Sequence, residues 1–229
     1  SLLGIDPSTS FEWRHKILHA LTQIVGSKFG GIVEADETYE LFSAKGCRKL
    51  ERDPRHRGGK ATKDGISSEQ VCVVVVRDRN GTTLGRTARL GRLNSRALNS
   101  VLDGRLADEG VTFCTDGGTA FVTSCRKSAI WHKKVNLSAG RRVVDGIYHI
   151  QNVNAIQSRY RTWATRFHGV SSKYLNNYWA WFTFIDRTNA LDATTRTRRF
   201  LLDSVIMPMK ADGHSIPEYY DRQFVELCA

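Results

Sequence analysis

Cysteine is scarce in this chain, and its arrangement does not suit disulfide or zinc chemistry. The five cysteines are odd in number and include no Cys-x-x-Cys pair. This pattern argues against a disulfide framework and against a zinc ribbon within these residues. Cys72 and Cys114 stand in apolar runs, which favours core thiols over reactive ones. A reducing, cytoplasmic setting fits this cysteine usage best.

Long hydrophobic runs, a signal peptide and an acidic excess are also absent. No apolar run reaches membrane-spanning length, so we expect no membrane partner. The opening Ser1-Leu2-Leu3-Gly4 lacks Met and any signal-peptide pattern, so we expect a fragment or a processed chain. There are 34 Lys and Arg residues against 23 Asp and Glu, a net charge of +11. Such an imbalance predicts an anionic partner, and nucleic acid is the one we favour.

The pattern of apolar residues along the 229-residue chain predicts an α/β fold with a mixed sheet. The clearest strand is the run at 71–76, which is apolar on both faces and therefore central. Aromatic residues crowd the region 152–189, and we interpret them as helix-packing core rather than base-stacking groups. In chain order we predict a helix at 8–25, strands at 31–36, 71–76 and 82–90, a helix at 94–106, a strand at 111–115, a helix at 119–127, an edge strand at 135–137, helices within 152–189 broken near Gly169, and an irregular tail after Pro208.

Two aspartates close predicted strands and are the main candidates for chemistry. Asp36 lies in the acidic cluster Glu34-Ala35-Asp36-Glu37, and Asp116 follows the strand at 111–115. Burying several acids together is costly unless a cation neutralises them, and a divalent cation is the obvious candidate. If the two strands are adjacent and parallel, the carboxylates lie about 5 Å apart, a distance that suits one or two Mg²⁺ ions. Taken alone, Asp116 before Gly117-Gly118 could instead be a turn or cap residue.

A basic segment at 45–65 is too polar to pack a core, and we predict a loop that contacts the backbone of the nucleic acid. The alternative is a disordered surface loop. The candidate nucleic-acid-binding residues of this loop are Arg48, Lys49, Arg52, Arg55, Arg57, Lys60 and Lys63.

Three motifs together resemble the catalytic domain of bacterial insertion-sequence transposases of insertion sequence family fifteen-ninety-five, the ISXO-two-like transposase domain. They are the acidic cluster from Glu34 to Thr38, Thr115-Asp116-Gly117, and the run from Gln151 to Arg161. The segment 167–178 resembles the family's helical continuation, and residues 9–18 resemble its linker from an N-terminal DNA-binding region. The resemblance covers roughly residues 8–190.

The resemblance implies a ribonuclease-H-like fold, with a mixed five-stranded sheet flanked by helices and a helical C-terminal extension. It also implies an Asp-Asp-Glu type of site that binds Mg²⁺ or Mn²⁺, as two ions, with Asp36 and Asp116 in the first two places. The third place departs from the usual Glu. Asn154, seven residues before Arg161, resembles a branch of the family with Asn there, and we favour it over the alternative Gln157. Either amide is neutral, and Glu34 or Glu37 could supply the missing charge, with Glu34 on the same strand face as Asp36 and Glu37 on the other.

The activity implied is cleavage and strand transfer at the ends of an insertion sequence. The expected partners are element-end and target DNA, a second copy of the chain, and no membrane, in a cytoplasmic, nucleoid-associated setting. Arg161 would bind a phosphate. Residues 1–28 would be a linker from a DNA-binding region outside this chain, 29–190 the catalytic domain and 191–229 a tail. The alternatives are a catalytically weakened or domesticated DNA-binding remnant and a ribonuclease-H-like nuclease.

Overall fold

The computed structural model describes residues 4–24, 28–47, 50, 53, 55–56, 58–136, 140, 142–206 and 215–228. The chain divides into two compact units, one of residues 27–172 and one of residues 1–26 together with 173–229. This division follows packing and does not test the functional boundaries expected from the sequence, which stay a prediction. Among the described residues, no helix is long and apolar enough to cross a membrane.

The unit of residues 27–172 contains a five-stranded mixed sheet. Its strands are β1 (Ile32–Leu41), β2 (Gln70–Asp78), β3 (Thr83–Leu90), β4 (Thr112–Thr115) and β5 (Trp131–Lys134), in the spatial order β3-β2-β1-β4-β5. The first three strands pair antiparallel, whereas β4 runs parallel to both β1 and β5. This topology confirms the prediction of a ribonuclease-H-like α/β sheet.

Burial explains the interior place of β2 between β3 and β1, because all six residues from Val71 to Val76 are buried and require cover on both faces. On one face, α2 (Ser95–Leu102) and α3 (Thr119–Lys127) pack their apolar residues against Val33, Ala35 and Phe113. The alternate β1 side chains point to the opposite face, where they meet α4 (Gln151–Ala164). The site described below lies on this second face, between β1 and α4.

The other unit is helical and comprises α1 (Pro7–Gln23), α5 (Leu175–Arg187), α6 (Ala193–Ile206) and α7 (Ile216–Cys228). Leu18, Leu21 and Phe184 form a buried cluster within it. Trp179 is also fully buried, and Phe182 nearly so. These contacts confirm that the aromatics of this region pack helices together.

Four predicted elements differ from the structure. The first strand does not end at residue 36, because its pairing with β2 continues to Leu41, and Asp36 therefore lies within β1. The tail after Pro208 is not irregular, because α7 spans its last part. The Ser215 backbone N–H donates to Glu218 Oε2 at 2.9 Å, so Ser-Ile-Pro-Glu is a capping box that signals this helix start. β5 begins at Trp131 rather than at residue 135. The sequence did not indicate this strand, because it is polar and shows no alternation of apolar residues. The Val135 N–H still donates to Thr115 O, and residue 137 lies outside the described residues. α2 ends at Leu102, short of residue 106.

Candidate active site

The sheet brings the two predicted aspartates together. β1 and β4 are parallel neighbours whose last paired residues are Glu34 and Cys114. Continuing this register by two residues sets Asp36 beside Asp116, about one strand spacing away. The negative charge of Asp116 is close enough to raise the pKa of Asp36. The predicted pairing of these two carboxylates at one edge of the sheet is therefore found in the structure.

Asp36 is held in a setting that opposes its negative charge. Burial, followed by the charge of Asp116, raises the pKa of Asp36 to about 6. Gln157 opposes this shift by donating from Nε2 to Asp36 Oδ2 at 3.0 Å, and the Arg161 guanidinium opposes it more weakly. A carboxyl group desolvated beside a second carboxylate favours either a proton or a cation.

Of the two candidate third residues, the structure sets Gln157 against Asp36. Gln157 is 5% exposed, whereas Asn154 is exposed, and its backbone N–H bonds Ile150 O within the helix. One turn later, Arg161 Nη2 donates to Thr38 Oγ1 at 2.8 Å. Gln157 and Arg161 therefore both bond to β1 from α4, and among the described residues Gln157, not Asn154, donates a side-chain hydrogen bond to Asp36.

Glu34, named from the sequence as a possible extra charge for a metal, is engaged elsewhere. Its side chain is fully buried, and its Oε2 accepts the backbone N–H groups of Asn152 at 2.8 Å and Val153 at 3.1 Å. Its Oε1 accepts from Asn152 Nδ2 at 2.7 Å and lies 3.2 Å from Arg79 Nη2. Both oxygens are therefore bound to the start of α4 and to an arginine rather than facing Asp36.

Glu37 lies close enough to the aspartate pair to be affected by their negative charges, although alternation along β1 directs its side chain to the other face of the sheet. Burial, then the charges of Asp36 and Asp116, raise the pKa of Glu37 to about 7. Its Oε2 is buried and has no hydrogen-bond partner among the described residues. The aspartates thus act on Glu37 electrostatically, across the sheet.

The loop after β4 presents Asp116 in a defined way. The Gly118 N–H donates to Asp116 Oδ1 at 2.9 Å, and the Gly117 N–H donates to Thr115 Oγ1 at 3.0 Å. Gly117 has φ of +91°, a conformation that side chains with a Cβ rarely adopt. The turn therefore needs glycine at this place, and it fixes one carboxylate oxygen of Asp116.

The sequence prediction missed two basic residues beside this loop. His132 Nε2 lies 2.8 Å from Thr115 Oγ1, and a Cβ at Gly117 would lie 3.5 Å from Cδ of Lys134, so the carbon stem of Lys134 lies beside this glycine. Within the described part of the chain, the Lys134 ammonium has no ion-pair partner. Alternation in Trp131-His132-Lys133-Lys134 could have indicated a shared face for the two residues, had the strand been recognised.

The predicted basic loop is described in part. Arg48, Lys49, Arg52 and Arg57 lie outside the described residues. The guanidinium of Arg55 is already engaged by protein groups. Its Nη1 donates to Phe42 O, and its Nη2 lies 3.7 Å from Glu69 Oε1. Lys60 and Lys63 are exposed. These two lysines are therefore the described members of the loop that could contact DNA phosphates.

The donor set fits a hard divalent cation with few protein charges. Among the described residues, no group of three or more His, Cys, Asp or Glu side chains could hold a metal ion. Asp36 and Asp116 offer carboxylate oxygens, and rotation of the Gln157 amide would add its carbonyl oxygen. Mg²⁺ prefers such oxygen donors and keeps several waters, so two carboxylates and an amide fit it.

The model of the ISXO2-like transposase domain matches residues 28–187, which are more than half of the chain, and the chain therefore belongs to that family. No curated protein matches this sequence. One similar chain comes from a cryo-EM structure of the simian T-cell lymphotropic virus intasome in complex with PP2A regulatory subunit B56 gamma. It is 17% identical, with a TM-score of 0.41 over 73% of this chain and 51% of that one.

Another similar chain, from the crystal structure of a pre-cleavage Mos1 transpososome, is 14% identical, with a TM-score of 0.29 over 98% of this chain and 64% of that one. This chain thus spans about half the length of the first relative and 64% of the second. The strand order and directions, rather than these distant likenesses, define the fold.

Proposed function

We propose that the chain is a DNA transposase that cleaves the ends of an insertion sequence and transfers the freed strand to target DNA with the help of a divalent metal. The observation that carries this proposal is the placement of Asp36 beside Asp116 at the edge of a ribonuclease-H-like sheet, in a transposase-family chain of net charge +11. Water would attack a phosphodiester and release a 3′-hydroxyl, which would then attack the target phosphodiester.

Asp36 and Asp116 would hold Mg²⁺ or Mn²⁺, as two ions, with Gln157 as the third group. The cation would activate the attacking oxygen and stabilise the leaving oxygen. We assign the third place to Gln157 rather than Asn154 because Gln157 is the amide that contacts Asp36. In either assignment the chain would come from a branch of the family with an amide at this place.

The basic residues would bind and orient DNA around the acids. Arg161 lies one turn beyond Gln157 on α4 and could bind a phosphate near Asp36, and Lys134 could do so beside Asp116. Lys60 and Lys63 would bind the backbone farther away. We further propose that the chain works in the cytoplasm at the nucleoid, as a homo-oligomer on paired ends, with residues 29–190 as the catalytic domain.

A second candidate is a weakened or domesticated copy that binds DNA without cutting it. The observation that favours it is the charge of the site, where two carboxylates and a neutral amide face one another on β1, β4 and α4. An amide carbonyl ligates Mg²⁺ but adds no negative charge, so one ion would be held less tightly.

The deciding experiment incubates the full chain with labelled element-end DNA and Mg²⁺ or Mn²⁺, using inverted repeats that flank the gene. We expect cleavage and joined products in the wild type, and loss of both in Asp36→Asn and Asp116→Asn. Asp108→Asn is the matched control, because it removes an exposed carboxylate that pairs with Lys28 in the same unit.

The alternatives give different products in the same assay. Tight binding without cleavage in either metal would identify a DNA-binding remnant and refute the transposase proposal. Cleavage without joined products would indicate a nuclease.

A further inference from the structure

Charged side chains from β1 and the segment that follows it bind the start of α4 and the chain just beyond its end. At the N-terminal end, Glu34 accepts the backbone N–H groups of Asn152 and Val153, which have no partners within the helix. This anion at the helix start complements the helix dipole. Beyond the C-terminal end and a short 3₁₀ turn, Lys45 Nζ donates to Gly169 O at 2.8 Å and to Phe167 O at 3.3 Å, and so anchors the segment that leaves α4.

The segment that follows β1 and the segment that follows α4 are also joined by two hydrogen bonds near Lys45. The Ser172 N–H donates to Ser43 O at 2.8 Å, and the Ser43 N–H donates to Ser172 Oγ at 2.8 Å. Lys45 is itself exposed, so its bonds are weaker than those of the buried Glu34. The N-terminal contact is therefore the stronger of the two.

The spacing between these contacts sets which residue of α4 faces Asp36. Two residues along a strand span about 6.6 Å, and four residues along a helix span about 6.0 Å. The contacts follow this match, since Glu34 meets Val153, Asp36 meets Gln157 and Thr38 meets Arg161. A shift of one residue along α4 would turn Gln157 by about 100° away from Asp36.

We propose that Glu34 and Lys45 are positioning residues that hold α4 in register with β1, so that Gln157 and Arg161 face the aspartate pair. Only the catalytic consequence of this inference rests on the proposed function. Glu34 would act as a carboxylate that caps a helix, without touching metal or DNA. Its charge is balanced by Arg79 Nη2 at 3.2 Å, and His149 Nδ1 lies 3.3 Å from its Oε1.

Glu34→Gln and Lys45→Met test this proposal while keeping side-chain length. The glutamine could still accept one backbone N–H, but its NH₂ group would face other donors at Asn152 and Arg79. Asp108→Asn and Lys28→Met are the matched controls, because they break an exposed ion pair of the same unit away from α4. Lys45→Met also keeps the test informative if the buried substitution prevents folding.

The first readout is hydrogen exchange in the free chain, followed by NMR for backbone amides and for the Gln157 side-chain amide. In Glu34→Gln we expect exchange at Asn152, Val153 and the Gln157 Nε2 to quicken at least tenfold, with little change in the amides of β2. In Lys45→Met we expect a severalfold increase at the C-terminal end of α4. An equal rise throughout the unit, or an unchanged Gln157, would overturn the proposal.

The second readout is DNA cleavage in a double-mutant cycle. If Glu34 acts through Gln157, Glu34→Gln should lower cleavage at least tenfold in the wild-type chain but less than twofold in Gln157→Ala. Multiplicative losses would show an independent, merely structural role and overturn the inference. If the wild-type chain does not cleave DNA, the proposed function fails, and the exchange measurements still decide whether Glu34 and Lys45 position α4.

Discussion

Replacing Gln157 with Glu tests whether Gln157 is the third group of the proposed site, because it sets a carboxylate where an amide now donates to Asp36. The change has two costs in the metal-free chain. It removes the hydrogen bond from Nε2 to Asp36, and it sets a second negative charge against a carboxyl group whose pKa is already raised to about 6. A cation between the carboxylates would reverse both effects.

The magnitudes follow from these contacts. A hydrogen bond to a charged group contributes about 1.5–3 kcal/mol, and two like charges about 4 Å apart repel by up to about 4 kcal/mol at an effective dielectric constant of 20. Because α4 and water can relax, we expect Gln157→Glu to lower the free energy of unfolding by about 2–4 kcal/mol at pH 8 without metal. Metal at 100 times its dissociation constant would restore about 2.7 kcal/mol.

The assay is urea unfolding with and without Mn²⁺, together with calorimetric titration of Mn²⁺ into the folded chain. We expect Gln157→Glu to bind the metal at least tenfold more tightly than the wild type. Asn154→Glu is the matched control, because the same carboxylate is introduced one turn earlier at an exposed position. That variant should change stability by less than about 0.5 kcal/mol and leave metal binding unchanged.

Two results would refute this reasoning. If Asn154→Glu, and not Gln157→Glu, gained metal affinity, Asn154 would be the third group and the contact between Gln157 and Asp36 would be incidental. If neither variant lost stability without metal, no carboxylate pair would be held in a desolvated site at this edge of the sheet.

Three further predictions follow from other parts of the molecule. Lys60→Ala should reduce the slope of log Kd against log salt for DNA binding by about 0.9, measured by fluorescence anisotropy. Gly117→Ala should destabilise the chain by about 1–2 kcal/mol in urea unfolding, because φ at this position is +91°. His15 is fully buried with a pKa lowered to about 3 by burial, so its contribution to stability should fall as the pH drops from about 6.5 towards 3, by up to about 1.4 kcal/mol per pH unit. Asp36 and Glu37 titrate in the opposite sense over part of this range, so the slope is read from the difference in unfolding free energy between the wild type and His15→Phe. A difference that does not change with pH would refute the assignment to His15.

The sequence predicted the sheet and the aspartate pair because both depend on local patterns. The apolar run from Val71 to Val76 needs cover on two faces wherever it lies, while Asp36 stands in the acidic cluster of the first strand and Asp116 directly follows β4. The third position could not be predicted in the same way. Whether Asn154 or Gln157 faces Asp36 depends on the register of α4 against β1, which is set by a contact between residues 118 positions apart.

The buried end of Glu34 shows why charge alone misleads at such a site. An acid two residues before Asp36 on the same strand face looks like a metal ligand in the sequence, since both side chains point towards α4. The start of a helix, however, offers free N–H groups that bind a carboxylate well. Because Asn152 and Val153 present these groups beside Glu34, the carboxylate of Glu34 binds the start of the helix and is not available as a metal ligand.

The remaining acids of the site then cost the metal-free chain stability, and the sign of their pKa shifts shows it. Asp36 has a raised pKa of about 6 in the folded chain, so the unfolded chain ionises more readily. As the pH rises from about 4 to 6, the free energy of unfolding falls, because the folded chain is less able to hold the ionised Asp36 than the unfolded chain. Above that range the loss is complete. Glu37, with a pKa near 7, extends the penalty to higher pH. A cation bound between Asp36 and Asp116 would remove their mutual repulsion. The relief of this repulsion would add to the binding free energy of the metal, so the same charges that destabilise the free chain would increase its affinity for the metal.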